Sequence, residues 1–154
     1  MAQFSMSTRV TAQVEKVFDL FSDLRNCAGR IKAIKRIEVL TPGPIGVGTH
    51  FKETRVMFKK EATEEMHITA FELNKSYTVS CNSCGALFTS TFRFQPDDGG
   101  TLVTFDFNCQ AQSFFAKLMK PLSWLMMGPM KKCIQQDLND LKAVAEGAGA
   151  AKPS

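Results

Sequence analysis

Two cysteines three residues apart, Cys81 and Cys84, are the first candidates for chemistry in this sequence. Such a pair can bind a metal or cycle between dithiol and disulfide. A structural zinc site needs four ligands, however, and a redox pair normally opens a helix that follows a strand. Here Asn82 and Ser83 are turn residues, Gly85 follows, and strand-like segments flank both sides. We therefore interpret the pair as free thiols at a β-hairpin turn, and we expect no metal site.

Glu53, Arg55 and Tyr77 are the side chains best suited to transfer a proton or hold a polar group. One predicted strand carries four residues at every second position, so that they share a face: Phe51, Glu53, Arg55 and Met57. If that face is concave, the charged pair could anchor a carboxylate or carbonyl of a ligand, because a buried charge needs a partner. If it lies near the sheet edge, the pair is an exposed ion pair of little consequence.

The histidines and the basic residues suggest no further chemistry. His50 and His67 are isolated in the sequence, and we interpret both as surface or sheet-face residues. Five basic residues lie between positions 25 and 36, but no aromatic residues are interleaved with them, and the net charge is only +4. We interpret this run as a solvated face and expect no nucleic-acid partner.

The composition describes one domain with an unusual apolar content. The 154 residues include 13 Phe and 8 Met but one Trp and one Tyr, which indicates either a Phe-rich core or an adaptable apolar binding surface. The five cysteines have no framework spacing, so we expect free thiols in a reducing cytoplasm. We expect neither a signal peptide nor a membrane span.

The hydrophobic periodicity predicts the elements that must position these residues. Thr11 is the predicted N-cap of a short helix ending near residue 22, a second short helix follows, and a long helix closes the chain. The fold class is therefore α+β, with a domain over 1–146 and a flexible tail over 147–154. Strands are predicted at 3–11, 34–40, 49–58, 61–72, 76–83, 86–95 and 101–111, and the other helices at 24–29 and 129–146.

The last two strands alternate between dry and wet faces. Phe88 and Phe92 share a face of one strand, and Phe105 and Phe107 share a face of the next. The final helix must bury its apolar stripe against this concave surface. Where the sheet and the helix diverge, an apolar pocket is expected.

Five segments, in this order, carry a family resemblance: "VEKVFDLFSDL" (14–24), "IKRIEVLTPGPIGVGTHF" (34–51), "ITAFELNKSYTV" (68–79), "FRFQPDDGGTLVTFDF" (92–107) and "IQQDLNDLKAVAE" (134–146). They resemble the START-like helix-grip superfamily, also called SRPBCC, which includes the birch-pollen-allergen fold. Within it, the pattern is similar to the polyketide cyclase/dehydrase and lipid-transport subgroup. The resemblance implies a seven-stranded sheet around a long C-terminal helix, with a cavity for a hydrophobic ligand. Many relatives carry Trp and Pro after the short helices, whereas this chain has "NCAGRI" at 26–31.

We therefore predict non-catalytic binding or transport of a lipid-like or polycyclic molecule, with no cofactor. One alternative is a cyclase or dehydratase that uses Glu53, Arg55 or Tyr77 in the same cavity. Another is a module that presents its ligand at a membrane surface through the Phe-, Met- and Lys-containing segment 114–127. The predicted ligand-binding residues are Phe51, Arg55, Met57, Met66, Ile68, Phe88, Phe92, Phe105, Phe107, Met126, Met127 and Met130.

Overall fold

Seven antiparallel strands form one curved sheet that packs against the helices, as a computed structural model of the chain shows for residues 2–57, 59–83, 85–118 and 127–147. The order of the strands in the sheet is β1-β7-β6-β5-β4-β3-β2. This arrangement confirms the predicted α+β class and helix-grip fold. The strands are β1 Ala2–Val10, β2 Ile34–Val39, β3 His50–Met57, β4 Lys60–Glu72, β5 Ser76–Ser83, β6 Ala86–Asp97 and β7 Gly100–Ala111. The helices are α1 Val14–Ser22, a 3-10 helix Leu24–Gly29, α2 Phe114–Leu118 and α3 Met127–Ala145.

The hairpin of β6 and β7 shows how alternation fixes the inner face of the sheet. Phe92 lies directly opposite Phe105, and both belong to the predicted dry face. The turn is tighter than predicted, because only Asp98 and Gly99 separate the strands, with φ values of 46° and 78°. Two consecutive positive φ values match the strand twist of a short hairpin, which lets pairing continue to the turn.

Helix α1 covers one end of the sheet with an aromatic face. The ring of Phe18 lies 5.3 Å from that of Phe71 and 5.2 Å from that of Phe94, both nearly edge-on. The prediction that Thr11 caps this helix is wrong, because Gln13 occupies the N-cap position. Thr11 instead donates its backbone N–H to Glu146, at 2.7 Å, which connects the start of α1 to the end of α3.

Helix α3 lies across the sheet and buries one stripe of its surface. Leu138, Leu141 and Ala145 are fully buried on that stripe. The helix begins at Met127, before the predicted start at 129, and its first turn accommodates Pro129 because the first N–H groups of a helix need no partner within it. None of the helices in the described ranges has the length and apolar character needed to cross a membrane.

Candidate functional site

A cavity of about 360 Å³ lies between the concave face of the sheet and α3. Its wall includes residues of α1, the 3-10 helix, every strand from β2 to β7, and α3. The volume falls within the range of about 300–1,000 Å³ typical of small-molecule sites. The sheet and the final helix therefore enclose space that their own side chains leave unfilled.

Nine of the predicted ligand-binding residues lie on the wall of this cavity. Strand alternation brings them together, because residues two apart on one strand face the same side of the sheet. Their role in binding a ligand stays a prediction. They are Phe51, Arg55, Met57, Met66, Phe88, Phe92, Phe105, Phe107 and Met130.

Two predicted residues lie outside the cavity wall, and a third is not described. Ile68 shares a face with Met66, but it is fully buried in the hydrophobic core and does not line the cavity. The alternation of residues along a strand predicts which face of the sheet a side chain is on. It does not predict whether that part of the face borders a cavity or is filled by other side chains. Met127 packs against the core one turn before Met130, also outside the wall. Met126 lies outside the described residues.

A charged cluster of Glu53, Arg55 and Asp137 forms one part of the wall. Arg55 donates from Nε to Glu53 Oε1 at 2.6 Å and from Nη2 to Asp137 Oδ2 at 2.8 Å. The three side chains are 12–13% exposed, so Glu53 and Arg55 face a concave surface rather than an exposed edge, while any anchoring role stays a prediction.

Asp137 is a site residue that the sequence analysis missed. It lies three residues after Ile134 and four before Leu141, both of which line the same cavity. This spacing places a carboxylate within the apolar stripe of α3. A charged residue at a buried stripe position was the available signal, because such a charge needs a partner elsewhere in the fold.

Burial, and the sharing of one arginine between two carboxylates, set the pKa values of Asp137 and Arg55. Burial raises the pKa of Asp137 to about 6, and Arg55 only partly opposes this rise. Arg55 divides its charge between two carboxylates, and Glu53 also repels a second negative charge on Asp137. Burial disfavours the charged form of Arg55 itself, but Glu53 and Asp137 outweigh this effect and raise its pKa. Arg55 therefore stays a cation, whereas Asp137 can exchange a proton near neutral pH.

Asp137 also has an unused hydrogen-bonding atom. Its Oδ2 accepts from Arg55, but its Oδ1 is buried and finds no hydrogen-bond partner within the described part of the chain. A buried oxygen without a donor costs about 1–3 kcal/mol relative to a satisfied one. One oxygen of Asp137, a residue of the cavity wall, is therefore unsatisfied.

Tyr77 lines the cavity, but its hydroxyl group is hydrogen-bonded to the backbone of the protein. The hydroxyl donates to the backbone oxygen of Phe21 at 2.9 Å, near the end of α1. Complete burial raises the pKa of Tyr77 well above its usual value. The phenol therefore stays protonated and satisfies a helix-end carbonyl, which fits a structural role better than proton transfer.

The first residue of the Cys-x-x-Cys pair belongs to a second polar part of the wall. Cys81 lies on β5 opposite Phe88, and Cys84 falls outside the described residues. Glu64 accepts from Cys81 Sγ at 3.7 Å and from Ser83 Oγ at 3.2 Å. Burial, followed by the charge of Glu64, raises the pKa of Cys81 to about 11, so this thiol is a weak nucleophile at neutral pH.

The segment that departs from the family pattern also contributes to the wall. Cys27, within the 3-10 helix, and Ile31, two residues after its end, both line the cavity. Burial raises the pKa of Cys27 to about 12, so its thiol acts as an apolar group. Small and branched side chains therefore stand at this end of the wall.

The two histidines pair on the opposite face of the sheet. His50 and His67 are register partners on β3 and β4, and their rings stack at 5.1 Å. Glu65 Oε1 lies 3.8 Å from His50 Nδ1. Among the described residues, no three His, Cys, Asp or Glu side chains are grouped so that they could hold a metal ion.

Part of the segment predicted to contact membranes is described. In α2, Phe114 is 78% exposed and Leu118 is 63% exposed, with Lys117 between them. Residues 119–126 lie outside the described ranges. The described part thus presents apolar and basic side chains to solvent, as the membrane hypothesis requires.

Comparison with known proteins agrees with the fold. The family model described as "Polyketide cyclase / dehydrase and lipid transport" matches residues 1–146. A search of curated proteins gives no match.

Solved structures similar to this chain come from bacteria and plants. TTHA0849 from Thermus thermophilus is 16% identical, with a TM-score of 0.76 over 98% of this chain and 100% of that one. Ginseng major latex-like protein 151 from Panax ginseng is 11% identical, with a TM-score of 0.76 over 94% and 97%. The di-domain ARO/CYC StfQ from the steffimycin biosynthetic pathway is 11% identical, with a TM-score of 0.78 over 97% of this chain and 52% of that one. At these identities the likeness establishes the fold.

Proposed function

Because the chain belongs to the polyketide cyclase/dehydrase and lipid transport family, we propose that it binds a hydrophobic small molecule in its cavity and releases it unchanged. The supporting observation is the unfilled space of about 360 Å³ between the sheet and α3. Its wall is mostly aromatic and aliphatic, and its polar groups are confined to a few positions. Both features are usual for sites that bind apolar ligands.

Removal of apolar surface from water would drive binding. Phe88, Phe92 and Met130 are only partly buried and line the cavity. A ligand that covers their exposed surface gains about 2.5 kcal/mol for each 100 Å² of apolar area removed from water. Phe and Met suit this role, because they offer large surfaces and Met adapts its shape to the occupant.

A filling substitution tests this proposal. Val79 lies on β5 and lines the cavity, so Val79→Phe should occupy part of the space without adding charge. We expect Val79→Phe to weaken binding of Nile red, a neutral apolar dye, about tenfold. Val56→Phe is the matched control, because Val56 lies on the outer face of β3 and is already 36% exposed. Equal affinities in both variants and the wild type, or no binding by the wild type, would contradict the proposal.

A second candidate function is a cyclase or dehydratase reaction in the same cavity. The favouring observation is Asp137, a cavity carboxyl whose pKa burial raises to about 6, beside Arg55. A group with this proton affinity can act as an acid or a base near neutral pH. Incubation with a linear poly-β-ketone, followed by mass spectrometry, tests for the loss of water. Turnover that Asp137→Asn abolishes, with ligand binding retained, would support the enzyme; unchanged ketone would exclude it for that substrate class.

We also propose that the protein visits membrane surfaces through the segment 114–127, which would give it access to lipid-like ligands. The support is the exposed pair Phe114 and Leu118 beside Lys117. We expect the protein to co-sediment with anionic vesicles and to co-sediment only weakly with neutral ones. A Phe114→Ser/Leu118→Ser variant should lose this association while it retains Nile red binding. Equal sedimentation of variant and wild type would contradict the assignment.

A further inference from the structure

The charged side chains on the cavity wall are mainly acidic. Among the described residues that line the cavity, the carboxylates are Glu53, Glu64 and Asp137, and the cation is Arg55. With all three carboxylates ionised, the wall has an excess of negative charge. Charges interact more strongly in a cavity that is poorly accessible to water than in bulk solvent. The occupant of the cavity therefore meets a net acidic environment.

Arg55 is already engaged by the protein's own carboxylates. Its Nε and Nη2 atoms donate to Glu53 and Asp137 at 2.6 and 2.8 Å. A ligand carboxylate would have to compete with these two contacts and would add a further negative charge beside them. The contacts of Arg55 thus argue against the expectation that it anchors a ligand carboxylate.

The carboxylates of the same cluster offer acceptors beside the remaining N–H groups of Arg55. The side chain of Asp137 is 12% exposed, and its Oδ1 has no hydrogen-bond partner among the described residues. Glu64, in the second polar part of the wall, is only half-buried and is also an acceptor when ionised. A ligand with an O–H or N–H group could donate a hydrogen bond to the carboxylate oxygens of Asp137 or Glu64, whereas a ligand carboxylate could not.

We infer that the cavity selects apolar molecules that carry a hydrogen-bond donor, a hydroxyl or a protonated amine, and that it discriminates against apolar carboxylates. This inference rests on the proposed binding function and specifies its ligand class. The apolar wall holds the body of the ligand, and the donor lies against Asp137 near Arg55. The selectivity follows from the charge and hydrogen-bonding capacity of the wall rather than from its shape.

Three compounds with the same straight alkyl chain test this selectivity. Decanol, decylamine and decanoate differ only in the head group, and at neutral pH the second is a cation and the third an anion. Each is titrated against the complex of the full chain with Nile red, below the concentration at which it forms micelles. We expect decanol and decylamine to displace the dye at concentrations at least about tenfold lower than decanoate, or about 1.4 kcal/mol.

The variant Asp137→Asn locates the source of the selectivity. Asparagine has nearly the same shape and can still accept from Arg55, but it removes one negative charge and one acceptor. We expect the preference for decylamine over decanoate to fall about tenfold. Glu72→Gln is the control for net charge, because Glu72 is exposed and pairs with Lys75 on the surface. Should Asp137→Asn fail to fold, Glu64→Gln makes the same change of charge at the other polar part of the wall.

The outcomes separate the two proposals. If Nile red and all three compounds fail to bind, the proposed function is contradicted, and the inference that rests on it falls as well. If the dye binds but decanoate displaces it as well as decylamine or better, the ligand class is wrong and the binding function stands. If Glu72→Gln lowers the preference as much as Asp137→Asn does, the selectivity arises from overall charge, which also overturns the assignment to the cavity wall.

Discussion

Replacing Asp137 by Asn should remove a specific pH dependence from the stability of the protein. Asp137 is buried between Arg55 and the apolar stripe of α3, and burial raises its pKa from 3.8 to about 6. The folded protein therefore binds this proton more tightly than the unfolded chain does. Asparagine keeps the size of the side chain and cannot titrate.

The size and sign of the effect follow from the two proton affinities. A tenfold difference in proton affinity corresponds to about 1.4 kcal/mol, so a rise from 3.8 to about 6 corresponds to about 3 kcal/mol. Because the pKa is raised on folding, this stabilisation is fully present below the unfolded pKa and is lost as the pH rises through the folded pKa. Relative to Asp137→Asn, the wild type should lose most of this, roughly 2 kcal/mol, between about pH 4 and about pH 7, because pH 4 already lies above the unfolded pKa.

Chemical denaturation of both proteins across this pH range measures the effect. The charged or titratable groups that face Asp137 are Glu53 and Arg55 on β3, Cys27 on the 3-10 helix and Asp140 on α3. The variant retains all four, so subtracting its free energy of unfolding from that of the wild type isolates position 137 to a first approximation.

An exposed aspartate provides the control for this experiment. Asp19→Asn removes a carboxyl from the exposed surface of α1, and its difference from the wild type should vary by less than about 0.5 kcal/mol over the same range. A difference for Asp137→Asn that stays constant with pH, or that changes in favour of the wild type as the pH rises, would refute the assignment of a raised pKa.

Two substitutions and one alkylation experiment test separate features of the fold. Tyr77→Phe removes the hydroxyl that donates to a backbone oxygen at 2.9 Å, so it should lower the free energy of unfolding by about 1–2 kcal/mol; an unchanged denaturation midpoint contradicts this contact. Cys81, whose pKa is about 11, should react with iodoacetamide at neutral pH on the order of a hundred times more slowly than in the unfolded chain, as measured by peptide mass spectrometry; comparable rates refute its burial. Gly100→Ala would place a Cβ 2.7 Å from the Val10 carbonyl oxygen and should cost about 1–3 kcal/mol, whereas Gly46→Ala meets open space; equal thermal stabilities of the two variants count against this packing.

Hydrophobic periodicity predicted the α+β class, because each element has one apolar side, and the family resemblance implied the helix-grip arrangement. The alternation of Phe105 and Phe107 fixed the inner face of β7, and the stripe through Leu138 and Leu141 fixed the buried side of α3. Element ends were less predictable, since they depend on capping contacts from distant residues. Thr11 illustrates this, because its partner Glu146 lies at the other end of the chain.

Pairing of the two histidines depends on a detail of one turn. The predicted turn at Lys59 and Lys60 would place residue 69 opposite His50, whereas the observed ladder closes with Met57 opposite Lys60 and places His67 there. In an antiparallel hairpin, a turn displaced by one residue moves every cross-strand partner by two. Periodicity predicts the two strands but not this register.

In the candidate site, too, local sequence pattern predicts some features and only the three-dimensional packing gives the others. Face alternation predicts which side of the sheet Met66 and Ile68 share, but only the three-dimensional packing shows that the cavity includes Met66 and excludes Ile68. Conversely, Asp137 was detectable in the sequence as a charge within an apolar stripe. Its pairing with Arg55 joins residues 82 positions apart, and such a contact follows from the fold rather than from local pattern.

The location of a bound apolar molecule tests the central claim most directly. Methyl signals of the methionines, recorded by NMR during titration with decanol, report on the wall through Met57, Met66 and Met130. Met6 and Met127, which pack against the core outside the cavity, serve as internal references. We predict saturable shifts at Met66 and Met130 with little change at Met6. Shifts confined to the reference signals, or none at all up to the solubility limit of decanol, would contradict a ligand-binding cavity.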